Sequence, residues 1–133
     1  MVKNGVLNIE SMKERCSPQE WQARVDLAAC YRLVNLYGMS DMMANHISSH
    51  VPGEPGAFLI NAYGMMYEEI TASSLIKIDT HGNILSTPDF ADLNYGINKA
   101  GYVIHPKSGS YPTPISWFGG SHGGKGLVIL ATT

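Results

Sequence analysis

The chain has 133 residues, a formal net charge of −2 and 15% charged residues, fewer than the roughly 25% of typical soluble domains. This length suffices for one domain of ordinary size, and 44% hydrophobic residues exclude wholesale disorder. The slight acidity argues against a nucleic-acid binder, which would carry a basic face.

The composition changes along the chain. All eleven acidic residues lie at or before Asp92, and the last 33 residues hold seven of the fourteen glycines and three of the seven prolines. The chain therefore divides into roughly 100 residues of ordinary composition and a tail of different character.

The cysteines and the apolar segments indicate a cytoplasmic protein. Cys16 and Cys30 form neither a C-x-x-C pair nor a framework of four or six, so two reduced thiols are expected. The first residues lack the apolar run of a signal peptide, and no run reaches the ~18–20 residues of a membrane span. We therefore expect a cytoplasmic location and no membrane span.

The spacing of apolar residues predicts one amphipathic helix over residues 18–37. Ser17 is a favourable N-cap, Pro18 suits the first helical position, and Glu20 can complete a capping box. Gly38 suits the position that ends a helix. The residues that carry the helical apolar spacing are Trp21, Val25, Ala28, Ala29, Leu33 and Leu36. The residues that supply polar character are Arg24, Asp26 and Arg32.

Beyond the helix the hydrophobic period shortens toward two, which predicts strands. The predicted elements are strands over 43–51, 57–61, 75–79 and 83–85, a turn over 52–56, a short helical turn within 65–74 and a further helix start within 89–100. Gly82 is placed for a positive φ in a tight hairpin over 79–83. The hairpins imply a partly antiparallel sheet, with the long helix covering one face.

Polar residues are concentrated on the first predicted strand, which reads N-H-I-S-S-H over 45–50. Strand alternation places His46, Ser48 and His50 on one face. The two histidines lie ~13 Å apart along a strand, so they cannot both ligate one metal ion without a bend. Two interpretations stay open, namely a solvent-facing polar stripe and a site for an anion or a hydroxyl-rich ligand.

Three further segments give weaker signals. Gly64 follows the second strand in N-A-Y-G and lets the backbone approach a ligand closely, although most such glycines only form turns. Ser73 and Ser74 suit capping or turn duty. The segment 119–126 contains G-x-x-x-x-G-K, but Gly126 stands where a phosphate loop needs a hydroxyl, so a flexible linker is the better interpretation.

Four blocks of sequence resemble the class II aldolase/adducin family. The block R-V-D-L-A-A-C-Y-R-L-V-N-L-Y-G at 24–38 is similar to that family's first helix. The block N-H-I-S-S-H resembles its glycine/asparagine strand motif, which often reads T-H-I-S in the adducin-like branch. The blocks F-L-I-N-A-Y-G at 58–64 and E-E-I-T-A-S-S-L-I-K-I-D at 68–79 resemble the next two in order.

The resemblance implies an α/β fold, an α/β/α sandwich around a mainly antiparallel sheet, here incomplete. The family's aldolases cleave sugar phosphates with a glutamate for proton transfer and a zinc ion held by three histidines, which stabilises the enediolate as a Lewis acid. They hold the phosphate with backbone and small polar groups on the early strands. The matching positions, which are our candidate ligand- or phosphate-binding residues, are Asn45, His46, Ser48, Tyr63 and Gly64.

The catalytic half departs from the family pattern. The aldolase glutamate falls at position 101, which is Gly101, and no His-x-His occurs in the 133 residues. We therefore predict no catalytic residue, no zinc site and no cofactor, although complete family members use zinc. The similarity ends at His105, near the change in composition, and a shifted reading frame or an alternative 3′ end would produce both. The expected division is an arm over 1–16, the family-like portion over 17–105 and a divergent Gly/Pro-rich tail over 106–133.

These observations favour a truncated class II aldolase/adducin-type domain without aldolase activity. One alternative is an adducin-like module that interacts with actin or the membrane skeleton. The other alternative is a zinc-dependent sugar-phosphate aldolase or epimerase whose metal site is completed by a partner chain or by unrecognised residues. Family members are usually tetrameric, so a homo-oligomer is an expected assembly, and no nucleic-acid partner is expected.

Overall fold

The computed structural model describes residues 9–40, 46–90 and 96–97, together with the backbone of four further strands. The elements in chain order are β1 (Val2–Lys3), β2 (Val6–Leu7), a 3₁₀ turn (Lys13–Arg15), helix α1 (Pro18–Leu36), β3 (His46–His50), β4 (Ala57–Ile60), a second 3₁₀ turn (Tyr67–Glu69), β5 (Ile76–Asp79), β6 (Ile84–Ser86), β7 (Ile115–Gly119) and β8 (Leu127–Ala131). For β1, β2, β7 and β8 the backbone pairing alone is described.

The strands form a small two-stranded sheet from β1 and β2 and a six-stranded sheet in the order β6-β5-β4-β3-β7-β8. Every neighbouring pair is antiparallel. The predicted strands coincide with β3, β4, β5 and β6 to within a few residues, and the antiparallel sheet is confirmed. Strands β7 and β8 lie in the segment predicted as a tail, and they extend the sheet beyond β3. Residues 120–126, predicted as a linker, and most of 89–100, predicted to start a helix, lie outside the described residues.

The predicted turns form where the sequence places Gly, Pro and Asp. Gly82 has a φ of +84°, which only glycine adopts without strain, and it lies in the hairpin between β5 and β6. One carboxylate oxygen of Asp79 accepts hydrogen bonds from the His81 and Asn83 N–H groups at 2.8 and 2.9 Å. The hairpin is therefore held by a local side chain as well as by the ladder.

Helix α1 begins and ends where its caps predict. The Ser17 hydroxyl accepts a hydrogen bond from the Glu20 N–H at 3.1 Å, and Pro18 occupies the first turn. Gly38, just beyond the last turn, has a φ of +67°. The helix therefore spans Pro18–Leu36, one residue shorter than predicted.

The face that α1 turns to the core differs from the expected one. Its buried residues are Glu20, Arg24, Leu27, Ala28, Tyr31 and Val34. Of the apolar residues predicted for this face, Val25, Leu33 and Leu36 are exposed, Leu33 by 51% and Leu36 by 77%. That part of the prediction was wrong because it counted charged residues as outward-facing, whereas the helix buries an acid and a base that neutralise each other.

The buried acid and base belong to a charge cluster of Glu20, Arg24, Lys77 and Glu54. One Glu20 oxygen accepts from the Arg24 Nε at 2.9 Å, and the other lies 2.9 Å from the Lys77 Nζ. Lys77 also contacts Glu54 at 3.1 Å, and an Arg24 nitrogen donates to the Leu75 carbonyl at 2.7 Å. Glu20 therefore turns inward and does not complete a capping box, and the cluster ties α1 to β5.

Three smaller findings complete the fold. The end of the predicted arm packs against the core, since Met12 is buried and its N–H donates to the Ser73 hydroxyl at 3.1 Å. Cys16 and Cys30 are both free of disulfide bonds, as predicted. In the described part of the chain, no helix combines the length and the apolar character needed to cross a membrane.

Candidate functional site

Strand β3 carries two of the candidate residues, and it lies inside the sheet. It pairs with β4 on one side and with β7 on the other. His46 is 3% exposed and Ser48 is 2% exposed, and Ile47 and Ser49 between and beyond them are also buried. The solvent-facing polar stripe is therefore excluded, because a strand paired on both edges and covered on both faces has no solvent side.

The far end of β3 differs from its start. His50 is partly buried, and its ring contacts the Phe58 ring with centroids 4.6 Å apart. This aromatic contact is an ordinary packing role. The two histidines of β3 therefore have separate surroundings, and the structure does not bring them into one site.

The remaining candidates lie in a turn directly after β4. Ala62 and Met65 are buried and are joined by a hydrogen bond from the Met65 N–H to the Ala62 carbonyl at 3.3 Å. Between them Tyr63 is 46% exposed and Gly64 has a φ of +105°. The Tyr63 N–H donates to the Gly96 carbonyl at 2.9 Å. The exposed Tyr63–Gly64 step is thus held on an anchored backbone.

The register of the sheet brings these residues to one end. Ser48 faces Ile60 in the last described pair between β3 and β4. Because the two strands are antiparallel, the start of β3 with His46 and the Tyr63–Gly64 step beyond β4 lie at the same sheet end, with Ser48 two residues farther in. Asn45, the fifth candidate, lies outside the described residues.

Burial makes the imidazole of His46 an uncharged group. Desolvation lowers its pKa below the ordinary 6.5, and a hydrogen bond with the Asn61 side chain raises the pKa only in part. At neutral pH the ring therefore offers hydrogen bonding and not a positive charge. A ligand at this end of the sheet would meet neutral donors.

A tyrosine that the sequence analysis did not select reaches this sheet end from α1. The Tyr31 oxygen accepts hydrogen bonds from the Ile47 and Asn61 N–H groups at 3.1 and 3.3 Å. The hydroxyl also donates to the Ile47 carbonyl, and the Asn61 Oδ1 lies 2.9 Å away. Burial raises the pKa of Tyr31 well above its usual range, so the group keeps its proton.

Known proteins are similar to this chain in both sequence and fold. Residues 25–108 match the family model described as the class II aldolase and adducin N-terminal domain. The chain belongs to the class II aldolase and adducin family. It is 53% identical over 103 residues to a Caulobacter vibrioides protein named as a class 2 aldolase, and 44% identical over 82 residues to alpha-adducin of Rattus norvegicus.

Solved structures give the same fold. The chain matches an aldolase II superfamily protein from Pseudomonas syringae with a TM-score of 0.75 and 41% identity over 85% of this chain. It matches the L-fuculose 1-phosphate aldolase from Glaciozyma antarctica PI12 with a TM-score of 0.67 over 78% of this chain, at 21% identity, which shows the fold alone. The predicted partial α/β fold of this family is therefore confirmed.

The chain spans a minor part of these relatives. The match with the Caulobacter protein covers 77% of this chain but 38% of that protein. The match with alpha-adducin covers 62% of this chain but 11% of alpha-adducin. The chain covers 45% of the Pseudomonas syringae chain and 41% of the Glaciozyma antarctica chain. What the whole relatives do is therefore a matter of proposal for this chain.

Zinc is the metal that the family implies. Within residues 9–40, 46–90 and 96–97 no three His, Cys, Asp or Glu side chains lie close enough together to hold one metal ion. The described residues thus do not supply a family-type zinc site, which needs three protein ligands. His105, the family-like histidine, lies outside them.

Sequence reasoning missed Tyr31 and treated Asn61 only as part of a weak motif. Both act over long sequence distances, since Tyr31 contacts residues 16 and 30 positions away. One signal was available in the sequence. Residues 20, 24, 27, 31 and 34 recur at helical spacing, and placing the acid and the base inside would have put Tyr31 on the sheet-facing stripe.

Proposed function

We propose that this class II aldolase/adducin domain binds a small ligand with an oxyanion group, of the phosphate-ester class, at the end of the sheet where β3 begins and β4 ends. The register that places His46 beside the Tyr63–Gly64 step carries this proposal. Ser48 and Asn45 belong to the same proposed site. The domain performs no aldol cleavage by itself.

The chemistry of the proposed site supports an oxygen-rich ligand. A neutral imidazole, a serine hydroxyl and main-chain N–H groups are hydrogen-bond donors that suit phosphate oxygens. Gly64 lets the ligand approach the backbone, because no side chain stands there and its positive φ turns the peptide groups. Since the His46 ring is uncharged, orientation by hydrogen bonds matters more here than charge attraction.

The lack of catalysis is proposed from the sequence of the second half. Gly101 replaces the glutamate that the family uses for proton transfer, and the 133 residues contain no His-x-His. Without a carboxylate at that place, no group of this chain is available at the family position for general acid–base catalysis. We propose no cofactor for this chain.

Cleavage of L-fuculose 1-phosphate by the purified 133-residue chain tests this proposal. The assay is run with and without added zinc, with the Glaciozyma antarctica aldolase as a positive control and elemental analysis of bound metal in parallel. We expect no cleavage above the protein-free rate under either condition. Stoichiometric zinc together with chelator-sensitive cleavage would contradict the proposal and would favour a zinc-dependent aldolase or epimerase.

A second candidate function is an adducin-like interaction with actin, in the cytoplasm and as a homo-oligomer. The 44% identity to alpha-adducin favours it. The outer face of α1 offers a contact surface, since Val25, Leu33 and Leu36 are exposed apolar residues. Co-sedimentation with filamentous actin, compared with a Leu33→Lys variant, tests the interaction. We expect the wild-type chain to pellet more than the variant, and equal pelleting at the level without actin would contradict it.

A further inference from the structure

The antiparallel pairing of β3 with β4 ends at the Ser48–Ile60 pair, although one more hydrogen-bonded pair could form before the start of β3 is reached. In such a ladder every second residue pair exchanges main-chain hydrogen bonds. The Val51 N–H donates to the Ala57 carbonyl at 3.0 Å at the hairpin end, which fixes the phase of the ladder. Counting from that pair in the described register, Ile47 and Asn61 fall at a position where a hydrogen-bonded pair is expected.

The Tyr31 hydroxyl occupies the place of that pair. It contacts the N–H and the carbonyl of Ile47 and the N–H of Asn61, which are three of the four main-chain groups that the pair would use. These groups are buried and need partners, and the hydroxyl provides them. The two strands therefore separate after the Ser48–Ile60 pair without leaving these groups unsatisfied.

We propose that Tyr31 is a positioning residue of the candidate ligand site. Its hydroxyl holds the ends of β3 and β4 apart and holds the Asn61 side chain against His46. The hydroxyl therefore sets the position of the strand ends that carry His46 and lead to the Tyr63–Gly64 step. The ligand part of this inference rests on the proposed function, whereas the positioning part concerns this chain alone.

The hydrogen bonds among Tyr31, Asn61 and His46 support this arrangement. The Tyr31 hydroxyl has one proton and two neighbouring acceptors, the Ile47 carbonyl and the Asn61 Oδ1. Through its contact with the Asn61 Oδ1 at 2.9 Å, the hydroxyl fixes the Asn61 side chain beside Tyr31. The same Asn61 side chain is hydrogen-bonded with the His46 ring, and this bond raises the pKa of His46 against the effect of burial.

A Tyr31→Phe variant tests the proposal, because it removes the hydroxyl and keeps the ring that contacts Tyr67 edge to face at 4.6 Å. Tyr67→Phe is the matched control, since it removes a hydroxyl from the other ring of the same buried pair. Three quantities are measured in each variant by nuclear magnetic resonance. They are amide hydrogen exchange at Ile47 and Asn61, the pKa of the His46 ring, and the affinity for inorganic phosphate.

We expect Tyr31→Phe to speed exchange at both amides by about tenfold, the loss of roughly one hydrogen bond, and to lower the His46 pKa further. The affinity of the Tyr31→Phe variant for inorganic phosphate should also fall. Tyr67→Phe should leave the His46 pKa and phosphate affinity at their wild-type values. Unchanged exchange and an unchanged His46 pKa in Tyr31→Phe, or equal changes in both variants, would overturn the proposal.

An Asn61→Ala variant separates the effect of Tyr31 on the strand ends from the contact between Asn61 and His46. It removes the side chain that contacts His46 but keeps the main-chain N–H that binds Tyr31. We expect a lowered His46 pKa with wild-type exchange at Ile47, and fast exchange at Ile47 would contradict the arrangement. If the wild-type chain binds no phosphate while exchange and titration behave as expected, the proposed function fails and the positioning role stands.

Discussion

Helix α1 is attached to the sheet by two kinds of chemistry. Near its start, Glu20 forms a buried ion pair with Lys77 of β5, and Arg24 donates a hydrogen bond to the main-chain carbonyl just before β5. Farther along, Tyr31 joins it to β3 and β4 through one neutral hydroxyl. The charged attachment lies at β5 and the neutral one at the candidate site. The helix is thus fixed to the sheet without placing a described cation or carboxylate from α1 beside His46.

The largest effect is expected from breaking the charged attachment with Arg24→Met. The change leaves the Glu20 carboxylate buried with Lys77 alone and removes the partner of the Leu75 carbonyl. Removing one member of a buried ion pair typically costs about 3–5 kcal/mol in the free energy of unfolding. Urea denaturation measures this loss.

Two further variants make the Arg24 result specific. Arg32→Met is the matched control, because Arg32 lies on the same helix, is exposed and donates to one carbonyl, that of Ile70. It should cost no more than about 1 kcal/mol. The double variant Glu20→Met with Arg24→Met should be more stable than Arg24→Met alone, since no buried charge is left over. A double variant as unstable as the single one would refute the account of the cluster.

The β3 histidines and Lys77 are expected to limit stability at opposite ends of the pH scale. Burial lowers the pKa values of His46 and His50 below 6.5, so the unfolded chain binds more protons than the folded one below that pH. The free energy of unfolding should therefore be complete above about pH 6.5 and fall below it, by up to about 1.4 kcal/mol per pH unit and histidine. His46→Gln should reduce this slope, and an unchanged slope in that variant would contradict the assignment to His46.

Lys77 contributes to the limit at the alkaline end. Burial opposes its charge, but hydrogen bonds to Glu20 and Glu54 raise its pKa above 10.5. Its contribution to stability should be complete below pH 10.5 and be lost as the pH rises through the folded-state value. Unfolding in urea at a series of pH values measures both limits. A Lys77→Met variant with an unchanged alkaline slope would contradict the assignment.

The smallest effect is expected at the start of the helix. Ser17→Ala removes the hydroxyl that accepts from the Glu20 N–H and should cost about 1 kcal/mol. The change leaves both attachments in place, so the pH limits should not move. Ser11→Ala, at an exposed serine outside the helix, is the control. Equal thermal melting of both variants would show that the cap contributes nothing.

The local features of the fold were predictable from the sequence because neighbouring residues determine them. Ser17 and Gly38 set the ends of α1, and Gly82 with Asp79 sets a hairpin. Each of these needs only a few residues of context. The strand bounds followed from the same kind of local pattern.

The features that were mispredicted depend on contacts distant in sequence. Arg24 is buried because Glu20 and a carbonyl 51 residues away satisfy it, and no local pattern reveals that partner. Strand β3 lies inside the sheet because β7, from the segment taken as a tail, pairs with its second edge. The family resemblance supplied the candidate positions, but the sheet order was needed to show that they lie inside.

Titration of isotopically labelled chain with inorganic phosphate tests the central claim most directly. We predict saturating shifts of the backbone amides at His46, Ser48 and Gly64, weakened by Tyr63→Phe and unchanged by Tyr37→Phe, which alters another exposed tyrosine. Absence of saturating shifts at these amides, or saturation confined to residues elsewhere in the chain, would contradict a ligand site at the end of β3 and β4.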